Sequence, residues 1–114
     1  MKQGDIYLVK FGKKYNSEIG KVRPAVVMQN NFLNRLITRQ KYKNILVVPL
    51  TTDDILTEYK IFIKSRDRLE KDSYIITNWI CMVDIDNILL DKGLIAKLNE
   101  EEIKELKEKI CNLM

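Results

Sequence analysis

Five short runs of β-branched and aromatic residues, separated by polar loops, constrain the fold of this chain more than any other feature. The runs are residues 5–11 (DIYLVKF), 23–29 (RPAVVMQ), 44–50 (NILVVPL), 59–65 (YKIFIKS) and 73–84 (SYIITNWICMVD). Residues of these types are enriched in β-strands. In the fourth run Tyr59, Ile61 and Ile63 alternate with a second set of residues, which is typical of a strand with one buried face. The second set is Lys60, Phe62 and Lys64. The pattern predicts a small, strongly curved sheet or barrel.

The C-terminal segment carries a different pattern, with apolar residues recurring every three or four positions. Asn99 is placed to cap a helix that begins at residue 100, with Glu102 as its capping-box partner and Leu98 and Ile103 as a hydrophobic staple. The apolar stripe consists of Ile103, Leu106, Ile110 and Leu113. This face either seals the barrel or contacts another subunit. The predicted fold is therefore mainly β with a C-terminal α-helix.

Length and composition fit one domain that spans residues 1–114. Of these residues, 46% are hydrophobic and 32% are charged, as in a globular protein with one core. No apolar run reaches the roughly 18 residues of a membrane span, and no signal-like segment opens the chain, so we expect a cytoplasmic location. Cys81 and Cys111 are interpreted as small hydrophobes in a reducing compartment, with a disulfide or redox role as the alternative.

Histidine is absent, and this absence limits the chemistry available to the chain. Nucleases that depend on a histidine pair, serine triads and most zinc sites are excluded, because no imidazole can move a proton or bind a metal. Any catalysis must use carboxylates, lysine, arginine, tyrosine, hydroxyls or thiols.

Positive charge is concentrated in one third of the chain. From Lys10 to Lys43 there are nine basic residues and one acid, Glu18, whereas the whole chain carries a net charge of +4. Such a field suits a polyanion such as RNA or DNA. A solvated basic face that only aids solubility is the alternative.

Arg23 lies between a polar loop and a strand. The loop from Gly12 to Gly20 has the composition of a solvated segment that could cover a ligand, and Pro24 favours an extended backbone at Arg23. A guanidinium at this junction can clamp a phosphate with two parallel donors. It can equally pair with an acid at the rim of the barrel.

Four segments, in this order and spacing, resemble the MazF/PemK (Kid) family of toxin endoribonucleases. They are GDIYLVKFG, SEIGKVRPAVVMQN, VVPLTT and KDSYIITNWICMVDIDNI. The resemblance extends over nearly the whole chain, and the combination of GDIY, VRPAVV and PLTT is specific. It implies an SH3-like small barrel of strongly curved antiparallel strands with a terminal helix, assembled as a homodimer.

The resemblance also implies a chemistry: sequence-specific cleavage of single-stranded RNA without a metal or other cofactor, as in an mRNA interferase. The 2′-hydroxyl attacks the adjacent phosphate and leaves a 2′,3′-cyclic phosphate and a 5′-hydroxyl. The family's arginine and threonine match Arg23 and Thr51, and Glu18 matches a loop glutamate that some members use. Glu18 would accept the 2′-hydroxyl proton, Arg23 would stabilise the phosphorane charge, and Thr51 would donate a hydrogen bond to the phosphate.

Further positions are expected to bind the RNA. They are Lys13, Lys14, Lys21, Thr52, Ser73 and Trp79. The lysines would follow the RNA backbone, and the indole would stack on an unpaired base, a contact worth about 1–3 kcal/mol. Each has a plainer interpretation: idle solvated lysines, threonine and serine residues at strand ends, a solvated Glu18, and an indole in the core or an interface.

The sequence departs from the family pattern at Trp79 and Cys81. Family members often carry a glutamine and an arginine at these positions, so the base selection of a relative does not transfer to this chain. Two other functions remain open: a gyrase-inhibiting toxin of the CcdB type on the same scaffold, and a non-catalytic nucleic-acid-binding module. The partner implied by the resemblance is a MazE-like antitoxin with an acidic, partly disordered tail, and operator DNA would be bound only through the antitoxin complex.

Overall fold

A computed structural model of the protein describes residues 1–11, 22–31, 33–34 and 43–114. Within these residues, seven strands form one antiparallel sheet that curls into a half-barrel. The strands are β1 (Asp5–Lys10), β2 (Val22–Val27), β3 (Asn44–Thr51), β4 (Lys60–Ile63), β5 (Ser73–Ile76), β6 (Cys81–Asp84) and β7 (Ala96–Lys97). Their order in the sheet is β4-β5-β3-β2-β1-β7, and β6 also pairs with β3. The predicted mainly β architecture with a C-terminal helix is confirmed.

Strand β3 is the centre of the curled sheet because it changes partners along its length. Its residues 44–47 pair with β6 and its residues 50–51 pair with β5, while residues 47–49 also pair with β2. Pro49 lies between the β6 and β5 ladders, a position that suits a residue without an N–H. The change of partner turns the sheet and places the end of β3 near the start of β5.

The prediction of one long strand over residues 73–84 is wrong. Residues 77–79 form a single helical turn that separates β5 from β6. At this turn the backbone N–H and the hydroxyl of Thr77 both donate to the carbonyl oxygen of Tyr59, at 2.8 and 2.7 Å. These two bonds extend the register of the β4–β5 ladder by one residue, to Tyr59 and Thr77. Trp79 follows in the turn and not within a strand. The short strand β7 also lies outside the predicted runs.

Alternating side chains on the central strands enter two apolar clusters on opposite faces of the sheet. Val26 and Val48 belong to the cluster beneath the C-terminal helix, and their neighbours Val27 and Val47 belong to the second cluster. All four side chains are almost completely buried. Burial of both faces explains why these strands are continuous apolar runs without polar alternation.

The C-terminal helix, Glu100–Cys111, begins with the predicted capping box. The Asn99 side chain accepts a hydrogen bond from the N–H of Glu102 at 2.8 Å, and the Glu102 carboxylate accepts one from the N–H of Asn99 at 2.9 Å. Leu106 is completely buried, and Ile103 and Ile110 pack against the same core cluster. The apolar stripe therefore seals the sheet. None of the helices in the described ranges has the length and apolar character needed to cross a membrane.

Candidate active site

Strand register brings Arg23 and Thr51 together although they are far apart in sequence. On the ladder between β2 and β3, Ala25 lies opposite Pro49. Continuing this antiparallel register by two residues places Arg23 opposite Thr51, the last residue of β3. Both residues are held by well-paired strands, since Arg23 also faces Val9 on β1.

A small cleft of about 140 Å³ lies where these strand ends meet. Its lining residues are Arg23, Pro24, Leu50, Thr51, Thr52 and Ser73. Four residues predicted from the sequence as catalytic or RNA-binding thus share one cleft. They come from the start of β2, the end of β3 and the start of β5, so the tertiary fold, and not local sequence, assembles the cleft.

Trp79 contacts the Arg23 guanidinium. The central carbon of the guanidinium lies 5.7 Å from the centroid of the indole ring, a distance typical of a cation–π interaction. The half-buried indole therefore limits the rotamers of the arginine on the side of the turn at residues 77–79. The predicted stacking of Trp79 on an RNA base stays a prediction, and contact with Arg23 is the role that the structure shows.

The hydroxyl of Thr51 is oriented by its own turn. Its Oγ1 atom accepts a hydrogen bond from the N–H of Asp53 at 3.1 Å, and the residue is buried. A threonine hydroxyl has one donor proton besides its acceptor lone pairs. Because the bond from Asp53 uses a lone pair, the proton of Thr51 can still be donated to an anion in the cleft.

Ser73 differs from Thr51 in its hydrogen bonding. Its Oγ atom donates to the carbonyl oxygen of Lys71 at 3.0 Å, which uses the single proton of the hydroxyl. Toward a ligand in the cleft, Ser73 therefore presents acceptor lone pairs. The predicted RNA contact of Ser73 stays a prediction. With this bond in place, Ser73 would accept a hydrogen bond from an N–H of a base or from a ribose hydroxyl.

Several predicted residues lie outside the described residues. They are Glu18 and the three lysines Lys13, Lys14 and Lys21. Most of the basic segment between Lys10 and Lys43 falls in the same undescribed ranges. The proposed general base and the proposed backbone-tracking lysines therefore stay predictions.

A second, larger hollow of about 540 Å³ adjoins the cleft and was not predicted from the sequence. The two hollows share Pro24, Thr52 and Ser73 as lining residues. The larger one also uses Asp67, Arg68, Glu70 and Lys71, from the loop that joins β4 to β5. The charged sequence RDRLEK could have suggested a functional loop, but nothing in the sequence connects it to Arg23.

Metal ligands and thiols are other groups that could contribute chemistry in the described part of the chain. There, no three Cys, Asp or Glu side chains are grouped so that they could hold a metal ion. Cys81, close in sequence to Trp79, has a free thiol whose pKa is raised because burial disfavours the thiolate. The thiol is therefore a poor nucleophile, and Cys81 is not among the residues that line the cleft.

Comparison with known proteins gives relatives that match nearly the whole chain. A Staphylococcus epidermidis protein named Endoribonuclease MazF is 32% identical, over 99% of this chain and 78% of that protein. The solved structure of MazF (Form-I) from Deinococcus radiodurans superposes with a TM-score of 0.74 and 15% identity, covering 99% of this chain and 94% of that one. A mycobacterial endoribonuclease solved in complex with its cognate antitoxin gives a TM-score of 0.72 and 16% identity, covering 98% and 92%.

The curled sheet, the sealing helix and the cleft at the strand ends define a protein of the MazF-like fold class. At their low sequence identities, the solved structures show the fold alone. The family follows from a sequence model described as PemK-like, MazF-like toxin of type II toxin-antitoxin system, which matches residues 2–114. The chain belongs to this family.

Proposed function

We propose that this protein is the toxin of a type II toxin–antitoxin system and acts as a sequence-specific endoribonuclease on single-stranded RNA. The observation that carries the proposal is the single cleft shared by Arg23 and Thr51, a fixed cation beside an oriented hydroxyl donor. The name of the staphylococcal relative, Endoribonuclease MazF, supports the same activity.

The proposed reaction needs no metal ion. The 2′-oxygen of the ribose attacks the adjacent phosphorus, its proton passes to a base, and the bond from phosphorus to the 5′-oxygen breaks. The 5′-oxygen takes up a proton, which gives a 2′,3′-cyclic phosphate and a 5′-hydroxyl end. Glu18 is the proposed base, on its resemblance to the family's loop glutamate.

Arg23 is proposed to stabilise the negative charge that grows on the phosphorane. A guanidinium stays charged at any working pH and presents paired donors to two phosphate oxygens. Preorganised donors of this kind act on the transition state without a cost of reorientation. The contact with Trp79 supplies that preorganisation, and the Thr51 hydroxyl adds a second donor from the opposite strand.

The gyrase-inhibiting and non-catalytic alternatives are less well supported. Inhibition of gyrase would need a protein-binding surface and not a small polar cleft, whereas Arg23, Thr51 and Thr52 converge on a volume of about 140 Å³. A binding module would need no fixed arrangement of a cation and a buried hydroxyl donor. The cleft geometry therefore favours catalysis.

We also propose a MazE-like antitoxin as partner, a homodimeric assembly and a cytoplasmic location. The solved mycobacterial complex of an endoribonuclease with its cognate antitoxin supports the partner by analogy. An acidic antitoxin tail would compete with RNA for the positive field of the segment from Lys10 to Lys43. Operator DNA would be contacted only through the antitoxin complex.

The decisive experiment is cleavage of a randomised single-stranded RNA pool in EDTA by the wild-type protein, Arg23→Ala and Arg23→Lys. We expect Arg23→Ala to lose about 100- to 1,000-fold in rate, as on removal of an oxyanion donor. Arg23→Lys should recover only part of the rate because an ammonium cannot form the paired contact. Lys107→Ala, an exposed change on the C-terminal helix, is the control and should match wild type.

End-group analysis distinguishes the mechanisms, since the proposed one gives cyclic phosphate ends. Absence of cleavage by the wild-type protein, for every RNA in the pool, would refute the endoribonuclease proposal. A supercoiling assay with purified gyrase, run in parallel, would then test the CcdB-type alternative.

A further inference from the structure

The larger hollow beside the cleft continues the proposed RNA path. It has a volume of about 540 Å³, within the roughly 300–1,000 Å³ usual for sites that hold a small ligand. Pro24, Thr52 and Ser73 line both it and the cleft that contains Arg23 and Thr51. An RNA strand with its scissile phosphate at Arg23 therefore has this hollow immediately beside it.

The floor of the hollow is apolar. It is formed by Leu8, Pro24, Leu69 and Ile95, of which Leu69 and Ile95 are buried in the core. Apolar side chains anchored in a core form a surface that makes no hydrogen bonds with water. Such a surface can pack against the face of a nucleobase. A phosphate or ribose would gain little from such a floor.

The rim of the hollow carries charges of both signs. Asp67 and Glu70 supply carboxylates, and Arg68 and Lys71 supply cations, so the rim has no net charge. A surface that only follows the phosphate backbone would be uniformly basic. Closely spaced donors and acceptors around an apolar floor instead match the edge of a base, which presents both kinds of group.

The rim is held in place by bonds to the segment before β7 and by a closed turn within its own loop. One guanidinium nitrogen of Arg68 donates to the carbonyl oxygens of Lys92 and Leu94, at 2.7 and 3.1 Å. The backbones of Arg66 and Leu69 exchange two hydrogen bonds, at 3.0 and 2.8 Å, which closes the turn that contains Asp67. Preorganised groups of this kind can discriminate between ligands, because little ordering is needed on binding.

We propose that this hollow is a base-selecting subsite, which binds the nucleotide next to the scissile phosphate and helps to set the sequence at which the RNA is cut. The inference rests on the proposed function, since it assumes an RNA strand at Arg23 and Thr51. The base lies on the apolar floor, and Asp67 and Glu70 accept hydrogen bonds from its amino or imino groups. Arg68 and Lys71 donate to its carbonyl or ring-nitrogen acceptors.

The test uses Glu70→Gln and Asp67→Asn, which keep side-chain shape and remove acceptor charge. Asparagine also tolerates the left-handed backbone at position 67, where φ is +49°. Cut sites in a randomised RNA pool are sequenced for both variants and for the control Glu105→Gln, an exposed change on the C-terminal helix. We expect about a tenfold loss of preference at one nucleotide position flanking the cut, with the other positions unchanged.

A second arm measures binding and does not depend on cleavage. Short RNAs with a 2′-deoxy nucleotide at the wild-type cut position, varied at the flanking base, are titrated against wild type and both variants. Loss of discrimination at one base supports the subsite. If the wild-type protein cleaves RNA but both variants keep its cut sites and its binding preferences, the subsite is overturned and the proposed function stands.

If the wild-type protein cleaves nothing, the proposed function fails, and the binding arm is run with the unmodified pool. In that case, equal binding of all bases by wild type and variants also overturns the subsite. Discrimination that the variants lose would keep the subsite as a base-binding site without catalysis.

Discussion

Replacement of Arg66 by alanine should destabilise the fold by removing the tie between the β4–β5 loop and the C-terminal helix. Two guanidinium nitrogens of Arg66 donate to the two carboxylate oxygens of Glu102, at 2.5 and 2.7 Å. The same carboxylate completes the capping box by accepting from the N–H of Asn99 at 2.9 Å. One ion pair thus fixes both the start of the helix and the turn that carries the rim of the proposed subsite.

The magnitude lies between those of exposed and buried pairs. The side chains of Arg66 and Glu102 are 25% and 18% exposed. Exposed ion pairs contribute about 0.2–1 kcal/mol, and hydrogen bonds to charged groups contribute about 1.5–3 kcal/mol. With partial screening by solvent, we expect a coupling of about 1–1.5 kcal/mol. Loss of this coupling in Arg66→Ala lowers Tm by roughly 3–9 °C for a chain of this size.

The coupling should depend on pH in a defined direction. The hydrogen bonds from Arg66 hold the pKa of Glu102 below its usual value of 4.5, against the opposing effect of burial. Because the folded-state pKa is depressed, the stabilisation is fully present above the unfolded-state value. It is lost as the pH falls from about 4.5 through the lower pKa of the folded state. The difference in stability between wild type and Arg66→Ala should therefore become smaller in acid.

The assay is a double-mutant cycle of Arg66→Ala, Glu102→Gln and the double variant, by urea denaturation at pH 7 and pH 3 and at one protein concentration. Glutamine at position 102 can still accept the capping bond, so the cycle isolates the charge pair. A coupling below about 0.3 kcal/mol at pH 7 would show that Arg66 and Glu102 do not stabilise each other, since it lies within the additivity error of independent sites. A coupling that grows on acidification would contradict the expected pH dependence.

Three further predictions follow from described contacts. Trp79→Ala should slow RNA cleavage by about 2- to 30-fold, the range of a cation–π contact. Trp79→Phe keeps an aromatic face for Arg23 and should lose less activity. Equal cleavage rates for wild type and both variants would contradict the positioning of Arg23 by Trp79. Gly4→Ala should destabilise the fold by on the order of 2–3 kcal/mol in urea denaturation, because φ is +91° and an added Cβ would lie 2.6 Å from Ile103 Cδ1. Gly93→Ala is its control: φ is +82° there too, but the contact of the added Cβ is 3.0 Å to the terminal Nη1 atom of the exposed Arg68, so a cost as large as that of Gly4→Ala would show that the overlap with Ile103 is unimportant. Iodoacetamide at pH 8 should modify Cys111 before Cys81, whose pKa is raised by burial, and mass spectrometry of peptides would reveal the reverse order.

Local patterns were enough to predict most of the elements. The C-terminal helix was predictable because its cap, its staple and its apolar stripe all lie within a few turns of sequence, and each is a local interaction. Strands β1 to β4 follow the β-branched runs closely for the same reason. The single strand predicted over residues 73–84 is wrong because its two halves pair differently: β5 pairs with β4 and the end of β3, β6 pairs with the start of β3, and a turn at residues 77–79 separates them.

The candidate site combines residue types that are visible in the sequence with contacts that form only in the folded chain. From the sequence alone one can read the residue types available to the site: no histidine, an arginine at the start of a strand, and a threonine pair at the end of another. The folded chain adds what the sequence does not show: Arg23 and Thr51 share a cleft, Trp79 contacts the guanidinium, and the loop around Arg68 adjoins them. Propensity and periodicity are short-range, whereas these contacts depend on strand register and on the partner change of β3, which join residues far apart in the chain.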